Sequence, residues 1–119
     1  MGSDRRREIG RRGEDLAARR LERLGYTVIE RNYRTRAGEI DLIAERSGTL
    51  VFCEVKTRRG PSFGGGYEAV TWRKRAKIRS LAEAFLQERG DRSNAIRFDV
   101  ASVSLGQRGP HVELFEDAF

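Results

Sequence analysis

The chain has 119 residues, enough for one domain with a single core, and it carries a net charge of +6 with a sequence pI of about 10.2. The chain has one cysteine and one histidine, so a single chain can form neither a disulfide nor a zinc site built on thiolates or imidazoles. A bound metal would therefore need oxygen ligands. No apolar run has transmembrane length, and the arginine-rich start lacks the apolar part of a signal peptide. We therefore expect one cytoplasmic domain over 1–119, without membrane contact, in which residues 1–7 form a flexible arm.

Hydrophobic periodicity and turn residues predict the order helix, three strands, helix, two strands. The predicted elements are a helix over 9–24, strands over 26–33, 38–44 and 50–56, a helix over 68–89, and strands over 94–104 and 110–115. In the first closing strand, Phe98 and Val100 fit the core, while Arg97 and Asp99 face the other way. A structural ion pair between Arg97 and Asp99 is the prediction there.

Strands 38–44 and 50–56 read as a β-hairpin around Ser47-Gly48, because both alternate with period two and Ser-Gly favours a short turn. This turn pairs Arg46 with Thr49 and, at the open end, Asp41 with Glu54. One face then collects apolar residues only, namely Ile40, Leu42, Ala44, Val51, Cys53 and Val55. The other face is apolar near the turn and carries at its open end Glu39, Asp41, Glu54 and Lys56.

Directly opposed residues of an antiparallel pair have Cβ atoms ~4.5–5.5 Å apart, so Asp41 and Glu54 would repel each other. A divalent cation such as Mg²⁺ or Mn²⁺ would stabilise the pair, since both ions prefer carboxylate oxygens. Lys56 shares this face with Glu54 and could hold a water molecule or neutralise a phosphate. The alternative is a solvated strand face on which Glu39 and Lys56 form an ion pair.

Positive charge is concentrated between Lys56 and Arg79, where eight basic residues stand against Glu68 alone, a net charge of +7. Such a cluster favours a polyanionic partner such as nucleic acid. Lys74 lies within the apolar stripe of the second helix, so its head group points to the acidic end of the hairpin, to a phosphate, or simply out to water. The residues expected to contact phosphates are Arg58, Arg59, Arg73, Lys74 and Lys77.

Asp41 followed by Glu54-Val55-Lys56 on a neighbouring strand resembles the active-site signature of the PD-(D/E)xK nuclease superfamily, with Ile40 in the place of proline. At family level the chain resembles the YraN-type family of endonuclease-like bacterial proteins. The stretches that carry this resemblance are 13–14, 38–43, 52–56, 70–74, 97–100 and 117–119.

The resemblance implies a restriction-endonuclease-like α/β fold, a three-layer core of order α-β-β-β-α-β-β whose mixed sheet is flanked by helices. It also implies a metal-dependent endonuclease that hydrolyses DNA phosphodiesters, with selectivity for branched DNA. Asp41, Glu54 and the Val55 carbonyl would hold Mg²⁺ or Mn²⁺, Glu14 would assist, and Lys56 would position the attacking water. The alternatives are a non-catalytic nucleic-acid-binding module and a protein-interaction scaffold. The choice between DNA and RNA stays open, and a homodimer is compatible with the sequence.

Overall fold

The computed structural model describes residues 2–59, 71–90 and 95–119, which form two helices and five strands. In chain order these elements are α1 (Gly2–Arg23), β1 (Thr27–Thr35), β2 (Gly38–Arg46), β3 (Thr49–Arg59), α2 (Trp72–Arg89), β4 (Ala95–Gly106) and β5 (Gly109–Phe115). Neither described helix is long and apolar enough to cross a membrane.

The five strands form one sheet in the order β1-β2-β3-β4-β5. All neighbours are antiparallel except β3 and β4, which run parallel because α2 returns the chain between them. One apolar cluster packs α1 against one face of the sheet, and a second packs α2 against the other face. The predicted three-layer α/β architecture and its element order are therefore confirmed.

The β2–β3 hairpin turns at Ser47 and Gly48, which both have positive φ angles, 51° and 81°. Two positive φ values match the twist of a two-residue hairpin turn, and glycine adopts one of them without strain. The turn pairs Arg46 with Thr49, and the ladder continues in this register to Leu42 with Cys53. The predicted turn and register are confirmed over this ladder.

The alternation of β2 breaks at Asp41. Leu42 packs in the α1 cluster, whereas Ile40, only two residues away, packs in the α2 cluster. The prediction that Ile40 and Leu42 share a face is therefore wrong. The β2–β3 ladder ends at Leu42 and Cys53, so β2 is free to turn there instead of keeping strict period two.

The helix boundaries differ from the sequence prediction. α1 begins at Gly2, so residues 2–7, for which a flexible arm is predicted, have helical backbone; arginine, which occupies positions 5–7, is a good helix former. α2 begins at Trp72, after the Thr71 hydroxyl, which accepts a hydrogen bond from the Lys74 N–H. Gly90 ends α2 as predicted, and the expected start of that helix at 68–70 lies outside the described residues.

The predicted Arg97–Asp99 ion pair is confirmed and is structural. Arg97 donates two hydrogen bonds of 2.9 Å to the fully buried Asp99 carboxylate, and the Asp117 N–H donates another of 3.0 Å. Its hydrogen bonds to Asp99 raise the pKa of Arg97. The pair ties the end of the chain to β4.

Candidate metal centre

Gly13 lets α1 lie directly against β3. A Cβ atom on this residue would lie 1.8 Å from Oγ1 of Thr57, so no side chain fits there. The next residue, Glu14, is half-buried. The close contact between α1 and β3 therefore fixes the backbone position from which the Glu14 side chain projects.

Three carboxylates converge where β2 begins. Glu14 from α1 and Glu39 and Asp41 from β2 each offer one oxygen, and these three oxygens lie within 4.8 Å of one another. All three residues are half-buried. Carboxylates this close repel unless a cation or protons neutralise them, so this carboxylate cluster is suited to a divalent ion.

Two residues of β1 orient two members of the carboxylate cluster. Asn32 donates a hydrogen bond of 3.1 Å from Nδ2 to Oε1 of Glu14. It does so from a left-handed backbone conformation with a φ of 52°, which asparagine adopts more readily than most residues. Arg34 donates a hydrogen bond from Nε to Oε2 of Glu39. Each glutamate is thus held through one oxygen and has a second oxygen to offer as a ligand.

The Asp41 side chain bonds to the backbone of β3. Beyond the last ladder pair, Leu42 with Cys53, the Val55 N–H donates a hydrogen bond of 2.8 Å to Oδ2 of Asp41. This bond links the two strands where their ladder ends. It also sets the Asp41 carboxylate beside β3, next to the Glu54–Lys56 segment.

The environment of Asp41 opposes its negative charge. Burial raises the pKa of Asp41 to about 7, and the charges of Glu54, Glu14 and Glu39 act in the same direction. Only the hydrogen bond from Val55 lowers it. Without a cation, Asp41 is therefore largely protonated below about pH 7, and binding a cation would displace that proton.

Glu54 lies beside the carboxylate cluster and is paired with a lysine. It is only 8 % exposed, and Nζ of Lys74 lies 2.6 Å from its Oε1. Burial lowers the pKa of Lys74, but the hydrogen bond and charge of Glu54 outweigh that effect and raise it. The Lys74 head group therefore points to the acidic end of the hairpin, one of the directions predicted for it.

The other predicted basic residues border this region to different extents. Lys56 is half-buried two residues after Glu54 on β3, and so projects to the same face. Arg73 and Lys77 are exposed on α2, and Cε of Lys77 lies 3.3 Å from the position of a Cβ on Gly38. Lys77 thus reaches the start of β2, next to the carboxylate cluster.

Two predicted phosphate contacts lie on the end of β3. Arg58 is half-buried, and it has a contact within the described chain. The side chain of Arg59 lies outside the described residues.

Sequence reasoning gave no metal-binding role to Glu39 and no role to Asn32. Glu39 could have been found, because it stands two residues before Asp41 on the same strand. Its salt bridge is with Arg34, whereas the alternative reading of the sequence paired it with Lys56. No comparable spacing in the sequence marks Asn32, because its position depends on the register shift in β1 between Val28 and Glu30.

The family model and the similar proteins that match this chain all belong to one family. A family model described as "Uncharacterised protein family UPF0102" matches residues 13–103. The chain is 48% identical to a UPF0102 protein of Frankia casuarinae over 93% of its own length and 95% of that protein. It is 46% identical to one of Rhodococcus jostii over 93% and 95%, and 40% identical to one of Pelotomaculum thermopropionicum over 98% and 99%. The chain belongs to the UPF0102 family. The family-level resemblance predicted from the motifs is thereby confirmed.

The UPF0102 match covers the whole candidate site. It begins at Gly13, which packs on Thr57, and includes the carboxylate cluster and the Glu54–Lys74 pair. It ends within β4, so β5 lies outside the matched residues. The candidate metal centre therefore lies entirely in the part of the chain that matches the UPF0102 model.

Proposed function

We propose that this UPF0102 protein is a metal-dependent endonuclease of the PD-(D/E)xK type that hydrolyses DNA phosphodiester bonds and prefers branched DNA. The observation that carries the proposal is the convergence of three half-buried carboxylates within 4.8 Å of one another. Beside them, Lys56 and the basic first half of α2 offer positive charge to a phosphate. Metal-dependent hydrolysis of a phosphodiester uses both features at one place.

The donor atoms of the site suit Mg²⁺ or Mn²⁺, because all are hard oxygens. Glu14, Glu39 and Asp41 would hold the ion, and Glu54 with the Val55 carbonyl, both expected from the sequence, would complete its coordination. The raised pKa of Asp41 is consistent with this assignment, since burial first, and then the negative charges of the neighbouring glutamates, oppose an ionised carboxylate that a cation would neutralise. When bound, the ion stabilises negative charge that develops on the scissile phosphate.

The lysines orient the other reactants. Lys56 is an ammonium donor on the face of β3 that carries Glu54, so it can position an attacking water against the phosphorus. Lys74 balances the charge of Glu54 while no phosphate is bound. Arg73 and Lys77 are exposed on the same side of the first turns of α2 and would contact flanking phosphates without reading bases.

The test is cleavage of labelled branched, duplex and single-stranded DNA, and of labelled RNA, in Mg²⁺ or Mn²⁺. We expect native protein to cut DNA, branched substrates fastest, and both Asp41→Asn and Glu54→Gln to lose this activity. Glu83→Gln changes an exposed carboxylate on α2 and should cut like native protein. Cleavage that survives the Asp41 and Glu54 substitutions, or no cleavage of any substrate, would contradict the proposal.

The second candidate is a non-catalytic nucleic-acid-binding module. The salt bridge between Glu54 and Lys74 favours it, because it compensates the buried carboxylate without an ion. A binding module would bind DNA as tightly after Asp41→Asn as before it, would lose affinity after Arg73→Glu and Lys77→Glu, and would cut nothing. The cleavage assay therefore separates the two functions.

A further inference from the structure

The outer surface of α1 is charged throughout its described length. Every exposed residue from Arg5 to Arg23 is charged, and eight of these eleven are arginines. The exposed members are Arg5, Arg6, Arg7, Glu8, Arg11, Arg12, Asp15, Arg19, Arg20, Glu22 and Arg23. Such a surface lacks the apolar side chains that a helix lying on a membrane inserts between lipids.

A groove runs between this surface and β5. One cavity of about 730 Å³ is lined by Arg19, Arg20 and Arg23 on the helix side and by Pro110 on the strand side. A second cavity of about 300 Å³ is lined by Arg12 and again by Pro110. Pro110 borders both cavities, so they lie side by side between α1 and β5, and we call them together the α1–β5 groove.

Three of the arginines of this groove are aligned along α1. Arg12, Arg19 and Arg23 stand at helical spacings of seven and four, so they lie on one side of α1 and span roughly 17 Å, the rise of about five nucleotides in one strand. Within the described residues none of them, nor Arg20, has an ion-pair partner. Glu22 is the acidic residue among the lining side chains of the two cavities.

The groove faces away from the carboxylate cluster. Arg12 and Glu14 are two positions apart on α1, which turns their side chains about 200° from each other. The cavity on the other flank of α1 also differs, because Asp15, Glu22 and Glu30 line it together with Arg19 and Arg31. A phosphate bound in the α1–β5 groove is therefore a different phosphate from the one that would reach the metal centre.

We propose that the α1–β5 groove binds the phosphate backbone of a second nucleic-acid segment, separate from the one presented to the carboxylates. The inference rests on the proposed function for the identity of the polyanion, but not on catalysis. Arginine suits this role because its planar guanidinium donates two parallel hydrogen bonds to phosphate. With two separate surfaces, one chain can hold two segments of nucleic acid at once.

The test uses full-length protein without divalent cations, so that no substrate is cut, and a fluorescent duplex too short to reach both surfaces. Native mass spectrometry gives the number of duplexes bound, and anisotropy across salt concentrations gives the affinity. We expect two duplexes on the native chain and one on the variant with Arg12→Gln, Arg19→Gln and Arg23→Gln. In native protein, the duplex that the Gln variant loses should bind with a slope of log affinity against log salt of about −2 to −3, since each of three phosphate contacts contributes about −0.9.

Matched variants test whether charge in the groove is responsible. Arg12→Lys, Arg19→Lys and Arg23→Lys keep the charge but lose the paired hydrogen bonds of the guanidinium, so this variant should still bind two duplexes, the second more weakly than native protein does. Glu22→Gln should tighten binding, whereas Glu83→Gln, which removes the same charge on α2, should not. Native-like Mn²⁺ binding and thermal stability in the Gln variant would show that the fold and metal centre are intact.

Three results would overturn the proposal: two duplexes still bound by the Gln variant, no duplex bound by it, or a native dimer that the Gln substitutions dissociate. The last would assign the groove to a second copy of the chain. Failure of the proposed function looks different, because a protein that cuts no DNA can still bind two duplexes. Native protein that binds no nucleic acid at all would overturn both.

Discussion

At the scale of single residues, Asp41 lowers the stability of the metal-free protein when it ionises, as expected of a residue placed to serve a metal site. Its carboxyl is half-buried among three other acidic residues, and its pKa is raised to about 7 by burial first and then by those charges. The Val55 N–H nevertheless holds the group in place at 2.8 Å. Ionising a carboxyl group that is held in place among other carboxylates costs free energy, and a bound divalent cation would reduce that cost.

A pH prediction follows for the metal-free protein. The folded chain keeps the Asp41 proton up to about pH 7, whereas the unfolded chain releases it near 3.8, so the folded state binds more protons between these values. Stability should therefore fall as pH rises from about 4 to about 7, by roughly 1–4 kcal/mol in unfolding free energy. Urea unfolding of native and Asp41→Asn protein across this range measures the effect.

The comparison between these two proteins isolates Asp41, since the other titrating groups are shared. Asp41→Asn cannot ionise, so its stability should exceed that of native protein increasingly as pH rises through the window. Glu83→Gln on α2 serves as the control and should follow the native curve. A native-minus-variant difference that stays flat with pH would refute the account of Asp41.

Lys74 gives a second prediction at this scale. Lys74→Met removes the partner of the nearly buried Glu54 carboxylate, so unfolding free energy at neutral pH should fall by roughly 1–2 kcal/mol, a modest loss because Lys74 is partly solvated. Lys77→Met, an exposed change on the same helix, should cost less than ~0.5 kcal/mol. Thermal unfolding of the two variants checks this, and equal losses would mean that the Glu54 contact contributes nothing specific.

At the scale of elements, the contact of α1 with β3 positions the site. Gly13→Ala would place a Cβ 1.8 Å from Thr57 Oγ1, so α1 must shift and carry Glu14 with it. We expect a loss of roughly 1–3 kcal/mol in stability and weaker Mn²⁺ binding. Calorimetric titration with Mn²⁺ and thermal unfolding measure the two effects.

Gly10 supplies the matched control for this prediction, because it lies on the same helix with no atom within 4 Å of its Cβ position. Gly10→Ala should leave Mn²⁺ binding unchanged and stabilise the helix by up to ~1 kcal/mol. The double variant Gly13→Ala with Thr57→Gly should recover much of the Mn²⁺ affinity, since the clashing side chain is gone. Native-like Mn²⁺ binding by Gly13→Ala alone would contradict the positioning role.

The same elements show how far the sequence alone could lead. The Ser47-Gly48 turn determines the register of β2 with β3 from Arg46 and Thr49 to Leu42 and Cys53, so this part of the hairpin was predictable from local turn chemistry. The predicted pairing of Asp41 with Glu54 lies beyond the ladder, where the Asp41 carboxylate accepts a hydrogen bond from the Val55 N–H instead. The apolar stripe of α2 is likewise a local pattern, because its buried residues Ile78, Leu81, Ala82 and Phe85 follow the helical period. These features depend on residues close together in the chain.

What sequence reasoning missed depends on departures from regular structure. The break at Asp41 moves Ile40 to the α2 side, and the register shift in β1 lies just before Asn32, which bonds to Glu14. Both are tertiary outcomes, set by how the ladder ends and by what α1 packs against. Strict alternation gives no local signal for either, so the partners of the carboxylate cluster were not predictable.

At the scale of the whole molecule, the sheet separates two basic helices and places an acidic cluster at one end of the hairpin. α1 covers one face and α2 the other, and Glu14 reaches the start of β2 from the first of them while Lys74 reaches Glu54 from the second. Among the described residues, the only three carboxylates whose oxygens lie within 4.8 Å of one another thus lie between two basic helices. That arrangement suits a site at which the backbone of a polyanion binds while a cation neutralises the carboxylates.

The measurement that tests the central claim most directly is calorimetric titration of Mn²⁺ into the native protein near pH 7.5 and into three variants, Glu14→Gln, Glu39→Gln and Asp41→Asn. If these carboxylates form a metal centre, native protein binds the ion there, each substitution lowers the affinity by at least about tenfold, and Glu83→Gln changes nothing. Native protein that binds no Mn²⁺ at millimolar concentration, or variants that bind it as tightly as the native chain, would contradict the claim.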